Sequence, residues 1–330
     1  MLRLVSEITI EGDYTWLFTA VGEVNIVQDI ASLTDTCELK LPKKIKWQNT
    51  VKEFGKPPVK RGDKITVKLG YDGELETIFS GFIRSVDAQV PIVIKCEDGM
   101  FILKQQVLTP KAYKNASLKD IVTDLLAGSG IDFKLIDDDL KIGKYRFTRK
   151  TVSEELQELK ERYMLMSYFR RIDDKEVLYV GLAYPTDNRK TLFFRHSKNI
   201  ISEDFEYRVK EDIRVKVEAI SFDAKNKKTT IELGDKDGDL IKIRIDGISD
   251  TELKKYAQQA LDRYKQSGFK GSFETFGVPE VSKCDIVDIF SSDGNKGAYL
   301  VKKNEISFGL SGYRQKIELG QPLSIETNQN

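Results

Sequence analysis

The sequence predicts an α+β protein, mainly β, in which two small β-barrels flank a small α+β region. In residues 1–107 and 201–330, short segments alternate apolar and polar residues with a period of two, which is typical of strands with one buried face. Residues 108–200 instead carry apolar residues at helical spacing. A length of 330 residues allows about two to three domains.

The first region, residues 1–107, is predicted to form an N-terminal β-barrel. Asp72-Gly73 lies between two alternating segments and is a strong hairpin signal. Lys56-Pro57-Pro58 marks a loop, because proline cannot donate to a sheet ladder. Short strands at this spacing favour a small barrel or a sandwich. The alternating segments are residues 8–10, 23–27, 37–41, 65–69 and 92–94.

The middle region, residues 108–200, is predicted to contain two helices. Ser117 and Thr151 are each followed three residues later by an acidic residue, which is the signature of a capping box at a helix start. Strand-like segments follow the second helix. The region is either one α+β unit or two subdomains, at residues 108–150 and 151–200. The strand-like segments are residues 167–171 and 177–180.

The last region, residues 201–330, is predicted to be a C-terminal β-barrel with an inserted helix at about residues 250–267. Ser249, followed by Glu252, marks the start of that helix. Residues 228–233 and 240–245 alternate on either side of a stretch rich in Asp and Gly. This pattern predicts that the two segments pair as a hairpin.

Two segments far apart in the chain share one pattern: an Asp after a turn, an alternating strand, a glycine and a second strand. Any β-barrel can give such a pattern by chance. The alternative is that the chain contains two barrels of related build, and related units of this kind can assemble into rings. The segments are Gly62-Asp63-Lys64-Ile65-Thr66-Val67 with Gly81-Phe82-Ile83-Arg84-Ser85-Val86, and Cys284-Asp285-Ile286-Val287-Asp288-Ile289 with Gly297-Ala298-Tyr299-Leu300-Val301.

Composition excludes several classes of protein. The 53 basic and 52 acidic residues give a formal net charge of +1, so the broad basic field of a nucleic-acid-binding protein is not expected. A single histidine, His196, excludes metal sites that need two or more imidazoles. The three cysteines are far apart, which argues against a disulfide framework and favours a reducing compartment. We expect no transmembrane helix and no signal peptide, because no apolar run is long enough for a membrane span and none at the N-terminus is long enough for a leader.

Several acidic or nucleophilic groups in the sequence are candidates for catalytic or metal sites. Asp235, Asp237 and Asp239 resemble part of a calcium loop but lack its glycine, and they favour an acidic turn. Four glutamates on the second helix are more typical of a wet helix surface than of a glycosidase pair. His196 has no nucleophile motif beside it. We therefore predict no catalytic residue, no cofactor and no metal. The glutamates are Glu154, Glu155, Glu158 and Glu161.

The loop from Lys43 to Arg61 combines basic residues with Trp47 and Phe54. Such a loop could stack and neutralise single-stranded nucleic acid. It also describes an ordinary protein–protein contact, in which Trp and Arg are enriched. The second interpretation is favoured.

A set of short motifs runs in a fixed order along the chain: Val59-Lys60-Arg61-Gly62-Asp63, Phe79-Ser80-Gly81-Phe82-Ile83, Cys96-Glu97-Asp98, Ser117-Leu118-Lys119-Asp120, residues 151–162, Tyr256-Ala257-Gln258-Gln259-Ala260-Leu261, Gly277-Val278-Pro279, Cys284-Asp285-Ile286-Val287, Gly297-Ala298-Tyr299-Leu300-Val301 and Gly312-Tyr313-Arg314-Gln315. Taken together in this order, the motifs resemble those of the phage tail hub proteins, which include the late control gene D-like proteins and the hub proteins of Mu-like prophages. Cys284 stands where such proteins often place glycine before the Asp, so the match is weaker there.

The resemblance implies a non-enzymatic homotrimer at the centre of a contractile-tail baseplate. Each chain would contribute two tube-forming barrels, so that three chains form a pseudo-sixfold ring between the sixfold tail tube and the threefold spike. The partners would be a second and third copy, the tube protein and the spike protein, with DNA passing only as cargo. The protein would lie in the virion tail after assembly in the bacterial cytoplasm. Type VI secretion spike proteins share the design. Interface positions are assigned to Trp47, Phe54, Arg61, Phe82, Tyr299 and Tyr313.

Two other functions remain open from the sequence. A cell-wall hydrolase of the same apparatus would use paired acids, or Cys284 with His196. An adhesin or nucleic-acid-binding module would use the loop from Lys43 to Arg61 as its contact.

Overall fold

A computed structural model of the chain describes residues 3–42, 44–47, 50–53, 59–87, 91–136, 138, 140–182, 184–185, 187–223, 227–245 and 247–326. The N-terminal strands are β1 (Leu4–Glu11), β2 (Thr15–Phe18), β3 (Glu23–Asp29), β4 (Thr36–Leu41), β5 (Lys44–Trp47), β6 (Thr50–Glu53), β7 (Lys64–Tyr71), β8 (Glu74–Asp87) and β9 (Ile92–Glu97). The middle elements are α1 (Met100–Leu103), β10 (Ala112–Ser117), α2 (Leu118–Leu125), β11 (Asp132–Leu135), β12 (Lys141–Arg146), α3 (Val152–Tyr163), β13 (Met166–Ile172) and β14 (Lys175–Gly181).

The remaining strands and the last helix complete the chain. They are β15 (Thr191–Arg195), β16 (Ile200–Arg208), β17 (Val215–Phe222), β18 (Lys228–Gly234), β19 (Asp239–Arg244), α4 (Asp250–Tyr264), β20 (Gly268–Phe276), β21 (Ile286–Phe290), β22 (Lys296–Gly309) and β23 (Gly312–Glu326). The predicted fold class, α+β and mainly β, is confirmed.

The N-terminal half is a sheet in the order β2-β1-β7-β8-β9-β4-β3. Apolar and polar residues alternate along these strands, so every second side chain points into one common core. Ile8, Ile65 and Ile83 are fully buried in this core. The hairpin predicted at Asp72-Gly73 is confirmed: both residues have positive φ, at 52° and 100°, and join β7 to β8.

The middle of the chain packs α1, α2 and α3 with the pair β10–β12 and the three-stranded sheet β11-β14-β13 around a separate core. Both predicted capping boxes are present. The Ser117 side chain accepts the Asp120 N–H, and the Thr151 side chain accepts the Glu154 N–H. These caps satisfy backbone donors that would otherwise lack partners at each helix start.

A small unit is inserted between β16 and β20, in which α4 packs on the sheet β18-β17-β19. The predicted hairpin between residues 228–233 and 240–245 is wrong, because β17 lies between β18 and β19 and pairs with both. The connecting turn is fixed to the start of β17: the Val215 N–H donates to the Asp235 carboxylate over 3.2 Å, and the Asp235 N–H donates to the Val215 carbonyl over 2.8 Å.

The C-terminal half has the strand order β15-β21-β22-β23-β20-β16. Its long β22–β23 hairpin contributes side chains to both the C-terminal core and the N-terminal core. Tyr299, Val301 and Ile317 pack in the C-terminal core, whereas Ile306 and Phe308 near the tip pack in the N-terminal core. The two halves are thus joined by one continuous hairpin.

The expectation of two separately closed barrels needs correction. β3 pairs with the outer part of β22, so the ladders of both halves run on as a 13-stranded sheet, and neither half closes on itself among the described residues. The N-terminal half could close into a barrel only if the outer edge of β3 paired within that half, but this edge pairs with β22. In the described part of the chain, no helix is long and apolar enough to span a membrane.

Candidate assembly site

One local structure occurs twice, once in each half of the chain. Asp63 and Asp285 each follow a residue with positive φ, Gly62 at 95° and Cys284 at 71°. Each aspartate accepts the backbone N–H of the residue three positions earlier, Lys60 N–H over 2.8 Å and Ser282 N–H over 2.9 Å. The two carboxylates therefore close the same turn in the same way.

The turns are tied to the following hairpins by identical backbone bonds. The Gly62 N–H donates to the Ile83 carbonyl over 2.9 Å, and the Ile83 N–H donates to the Asp63 carbonyl over 2.9 Å. In the other half, the Cys284 N–H donates to the Val301 carbonyl over 2.9 Å, and the Val301 N–H donates to the Asp285 carbonyl over 2.8 Å. Ile83 and Val301 are therefore equivalent positions.

The correspondence extends beyond the turn. A register shift interrupts the β8–β9 ladder between Ile83 and Ser85, and a register shift interrupts the β22–β23 ladder between Val301 and Lys303, the equivalent pair. The strand orders β7-β8-β9-β4-β3 and β21-β22-β23-β20-β16 then match strand for strand. Chance alternation does not give an identical turn, the same bulge and the same strand order, so the two halves are of related build.

Two differences between the halves lie at the shared turn and the strand beside it. The strand beside β7 is β1, which runs antiparallel, whereas the strand beside β21 is β15, which runs parallel. Cys284 adopts a backbone conformation that glycine adopts more readily. Its side chain is fully buried, with the sulfur 3.5 Å from the Tyr168 hydroxyl.

A buried charge cluster holds the halves together where the Asp285 turn meets the N-terminal sheet. The Lys283 Nζ lies 2.7 Å from the Asp35 carboxylate, and the two side chains are only 4% and 9% exposed. The Asp35 N–H donates to the Asp98 carboxylate over 2.9 Å. Burial lowers the pKa of Lys283, but Asp35 and Asp98 outweigh this, and the net pKa shift is upward.

This cluster lines a cavity of about 290 Å³ between the N-terminal sheet, the middle region and the Asp285 turn. Glu176 also lines it, and one of its carboxylate oxygens is buried without a hydrogen-bond partner among the described residues. Burial, followed by the nearby charge of Asp35, raises the pKa of Glu176 to about 7. Burial likewise raises the pKa values of Asp98 and Asp35. The junction therefore changes its charge near neutral pH.

A second carboxylate in the cavity wall is fully partnered. Glu280 is 5% exposed at its side chain and lies 2.8 Å from the Lys190 Nζ and 3.5 Å from the Arg171 guanidinium. The Lys190 N–H also donates to Asp285 over 3.1 Å. These contacts connect the middle region to the turn that the two halves share.

Among the predicted interface residues, Arg61 and Phe82 lie together. The Phe82 ring stacks on Phe101 with centroids 5.6 Å apart, and the Arg61 guanidinium lies 5.6 Å from the same ring. Arg61 is exposed and Phe82 is partly buried. Trp47 has a described backbone in β5 but not a described side chain, and Phe54 lies outside the described residues.

Tyr299 and Tyr313 need correction as interface positions. They are 0% and 1% exposed, respectively, and pack inside the C-terminal and N-terminal cores. The Tyr299 hydroxyl accepts the Phe269 N–H over 2.9 Å, so it serves the interior of its own chain. The sequence carried a signal for this: Tyr299 shares its strand face with Val301, and the period-two rule turns both inward.

The side chains named above as catalytic candidates make contacts within the chain. Glu155 is fully buried, and its carboxylate accepts the Tyr145 hydroxyl over 2.6 Å. Glu158 pairs with Arg149 over 2.6 Å. His196 is about half exposed and lies 3.5 Å from Glu203, whereas burial raises the pKa of the Cys284 thiol and so disfavours the reactive thiolate.

Two aspartates of the acidic turn contact cationic side chains. Asp235 bonds to Lys265 over 2.6 Å, and Asp237 pairs with Arg214. Over the described ranges, no group of three or more His, Cys, Asp or Glu side chains is arranged to hold a metal ion. The carboxylates of Asp235 and Asp237 are thus bound by Lys and Arg side chains and by a backbone N–H group.

Comparison with known proteins gives matches in structure only. No family model and no curated protein sequence matches the chain. The 43 kDa tail protein of prophage MuSo2 from Shewanella oneidensis is 15% identical with a TM-score of 0.63, over 97% of this chain and 100% of that chain. The tail protein from Neisseria meningitidis MC58 is 15% identical with a TM-score of 0.65, over 96% of both chains.

A secretion-system protein is similar as well. An E. coli component of the type VI secretion system, which has structural similarity to the T4 bacteriophage tail proteins gp27 and gp5, is 10% identical with a TM-score of 0.60. That match covers 96% of this chain and 77% of the other. The chain therefore has the fold of these proteins, and the resemblance drawn from its sequence is confirmed at the level of the fold.

Proposed function

We propose that this protein is a structural component of a phage or prophage tail, or of a related injection apparatus, and that it acts as the baseplate hub. Three copies would form a ring of six related units that joins a sixfold tail tube to a threefold spike. The observation that carries this proposal is the matched turn, hairpin and bulge in the two halves of one chain. The solved structures with this fold include proteins named as tail proteins.

Symmetry limits how often a trimer can repeat a contact. A sixfold partner presents the same contact six times, whereas a trimer can repeat a contact only three times. A chain with two equivalent sheets supplies six similar surfaces from three copies. At the same time, the features that differ between the halves, such as β1 against β15, repeat only three times and suit a threefold partner.

The work of such a hub is assembly. The side chains that chemistry would require are engaged in caps, ion pairs and cores, and no enzymatic role is proposed. The partners are two further copies, the tail tube protein and the spike protein, and DNA passes only as cargo. The site of action is the virion tail, after assembly in the bacterial cytoplasm. Arg61 and Phe82, together with Trp47 and Phe54, remain proposed contact positions.

The proposal is tested by the mass of the purified protein. Sedimentation velocity at micromolar concentration is expected to give a species of three times the 37.7 kDa of one chain. Obligate interfaces commonly bury about 2,000 Å² or more in total, enough to keep such a trimer at this concentration. A monomer that retains a cooperative unfolding transition, both alone and with the tube and spike proteins added, would contradict the proposal.

A further inference from the structure

The joint between the two halves shows how equivalent edges pair. β3 adds antiparallel to the outer part of β22, with Asp29 opposite Lys303. β21 pairs with β22 only as far as Leu300, before the bulge, so the rest of this edge of β22 is available to pair with β3. The Ile30 N–H donates to the Lys302 carbonyl over 3.1 Å, so residues 30 and 302 form a hydrogen-bonded pair. The next pair, Asp29 and Lys303, is therefore of the closer, non-hydrogen-bonded kind.

The equivalent of Lys303 in the N-terminal half is Ser85. Each residue follows the bulge, and each is the first to pair again, Ser85 with Lys95 and Lys303 with Glu318. β7 pairs with β8 only as far as Phe82, just as β21 pairs with β22 only as far as Leu300. Ser85 and Val86 thus present the same kind of edge that β3 occupies on β22, and within the described ranges no strand pairs with that edge.

The equivalent of Asp29 in the C-terminal half is Arg208. Starting from Ser85 and Lys303, the ladder partners on each successive strand are equivalent in the two sheets, and the last equivalent pair is Asn25 on β3 and Asp204 on β16. Asp29 and Arg208 each lie four residues further along these two strands. In the described part of the chain β16 pairs with β20 alone, so its other edge has no strand partner. The equivalent pairs are Lys95 with Glu318, Glu38 with Ser272, and Asn25 with Asp204.

Within the chain, the edge of β3 therefore pairs with the outer edge of β22. The equivalent edges, on β16 and on β8, have no strand partner among the described residues. We propose that β16 of one copy adds antiparallel to the open edge of β8 in the next copy, with Arg208 opposite Ser85 and Tyr207 opposite Val86. This inference rests on the proposed function, since it assigns the contact between neighbouring copies in the ring. The contact is head-to-tail, so it closes when the rotation between copies divides a full turn.

Residue chemistry at the proposed contact fits two copies of this chain. Ser85 is exposed, while Arg208 and Tyr207 are partly exposed at the edge of their sheet. In the proposed register, Glu206 lies directly opposite Asp87, and Arg208, which pairs with Glu206 over 2.8 Å, lies diagonally across from Asp87 within reach of a long side chain. The joint inside the chain also places opposite charges together, Asp29 against Lys303.

The register is tested by an engineered disulfide. Directly opposite residues in a non-hydrogen-bonded antiparallel pair have Cα atoms about 4.5 Å apart, inside the range for a disulfide. Ser85→Cys combined with Arg208→Cys should therefore cross-link neighbouring copies when oxidised glutathione is added. The native cysteines do not interfere, because Cys37, Cys96 and Cys284 are buried.

A non-reducing denaturing gel is expected to show covalent trimer as the largest species. The matched control combines Ser85→Cys with Glu206→Cys, which lies on the same strand face two residues out of register. It should give at least tenfold less cross-linked product, as should each single variant. Comparable cross-linking in the control would overturn the register, and a ladder continuing beyond trimer would overturn ring closure.

Sedimentation of the same double variant under reducing conditions separates the two proposals. A trimer that fails to cross-link contradicts the contact between β16 and β8 but leaves the hub proposal standing. A monomer under reducing conditions, while the unaltered chain is also monomeric, contradicts the hub proposal itself. If the unaltered chain is a trimer and only the double-cysteine variant is monomeric, the two substituted positions lie at the contact. In that case, a double variant with the conservative changes Ser85→Ala and Arg208→Lys should be trimeric again. Failure of this conservative variant to restore the trimer would also overturn the proposed contact.

Discussion

Replacing Lys283 by methionine removes the ammonium group from the buried cluster that joins the two halves. The Lys283 Nζ lies 2.7 Å from Asp35, and the two side chains are 4% and 9% exposed. Methionine has a similar length and fills the same space, so the loss is mainly electrostatic. Breaking a buried pair by removing one partner typically destabilises a protein by about 3–5 kcal/mol.

A proton on Asp35 can replace the lost positive charge of Lys283. Burial already raises the pKa of Asp35, and without Lys283 this carboxylate must take up a proton to stay buried, so the cost of protonation is an upper limit on the loss. Forcing protonation of a carboxyl with an ordinary pKa of about 3.9 costs about 4 kcal/mol at pH 7 and about 1.5 kcal/mol at pH 5. We therefore expect Lys283→Met to lose up to about 4 kcal/mol of the free energy of unfolding at pH 7, and less than half of that at pH 5.

Urea denaturation at the two pH values measures this difference. The matched control is Lys190→Met, since Lys190 also makes a 2.8 Å ion pair, with Glu280, but its side chain is 60% exposed and Arg171 contacts the same carboxylate. The control should lose less than about 1 kcal/mol. Equal losses for the two variants, or a Lys283→Met loss that does not depend on pH, would refute the reasoning.

Replacing Glu176 or Tyr299 should also change the free energy of unfolding. Because the pKa of Glu176 is raised from 4.5 to about 7, the stabilising contribution of its protonated form is complete below pH 4.5 and is lost as the pH rises through about 7. Glu176→Gln should therefore match the parent protein at low pH and exceed it by up to about 3 kcal/mol in unfolding free energy above pH 8; an unchanged pH profile would contradict this. Tyr299→Phe leaves the buried Phe269 N–H without its acceptor and should cost about 1–3 kcal/mol without changing the mass of the assembly. Tyr264→Phe, at a residue that is 43% exposed, should cost less than about 0.5 kcal/mol, and similar losses in the two tyrosine variants would show that the buried bond contributes little.

Local rules predicted the local structure well. Ser117 and Thr151 start helices because their side chains cap nearby N–H groups, and Asp72-Gly73 turns a hairpin because both positions adopt positive φ. The repeat was visible for the same reason, since an aspartate turn and a period-two strand depend on neighbours in sequence. These signals require no knowledge of distant parts of the chain.

Features that depend on distant residues were missed. β17 enters between β18 and β19, and alternation within those two strands says nothing of the strand that separates them. Lys283 and Asp35 are 248 positions apart, so their ion pair could not be read from either segment. Aromatic residues are enriched both in cores and at interfaces, and Tyr299 and Tyr313, which were assigned to the interface, are buried in cores.

Direct imaging tests the central claim, that the two halves of one chain act as equivalent units of a ring. End-on class averages of the purified assembly by electron microscopy should show an annulus of six similar densities with threefold symmetry. Three densities, an open arc, or six units contributed by six separate chains would contradict the account.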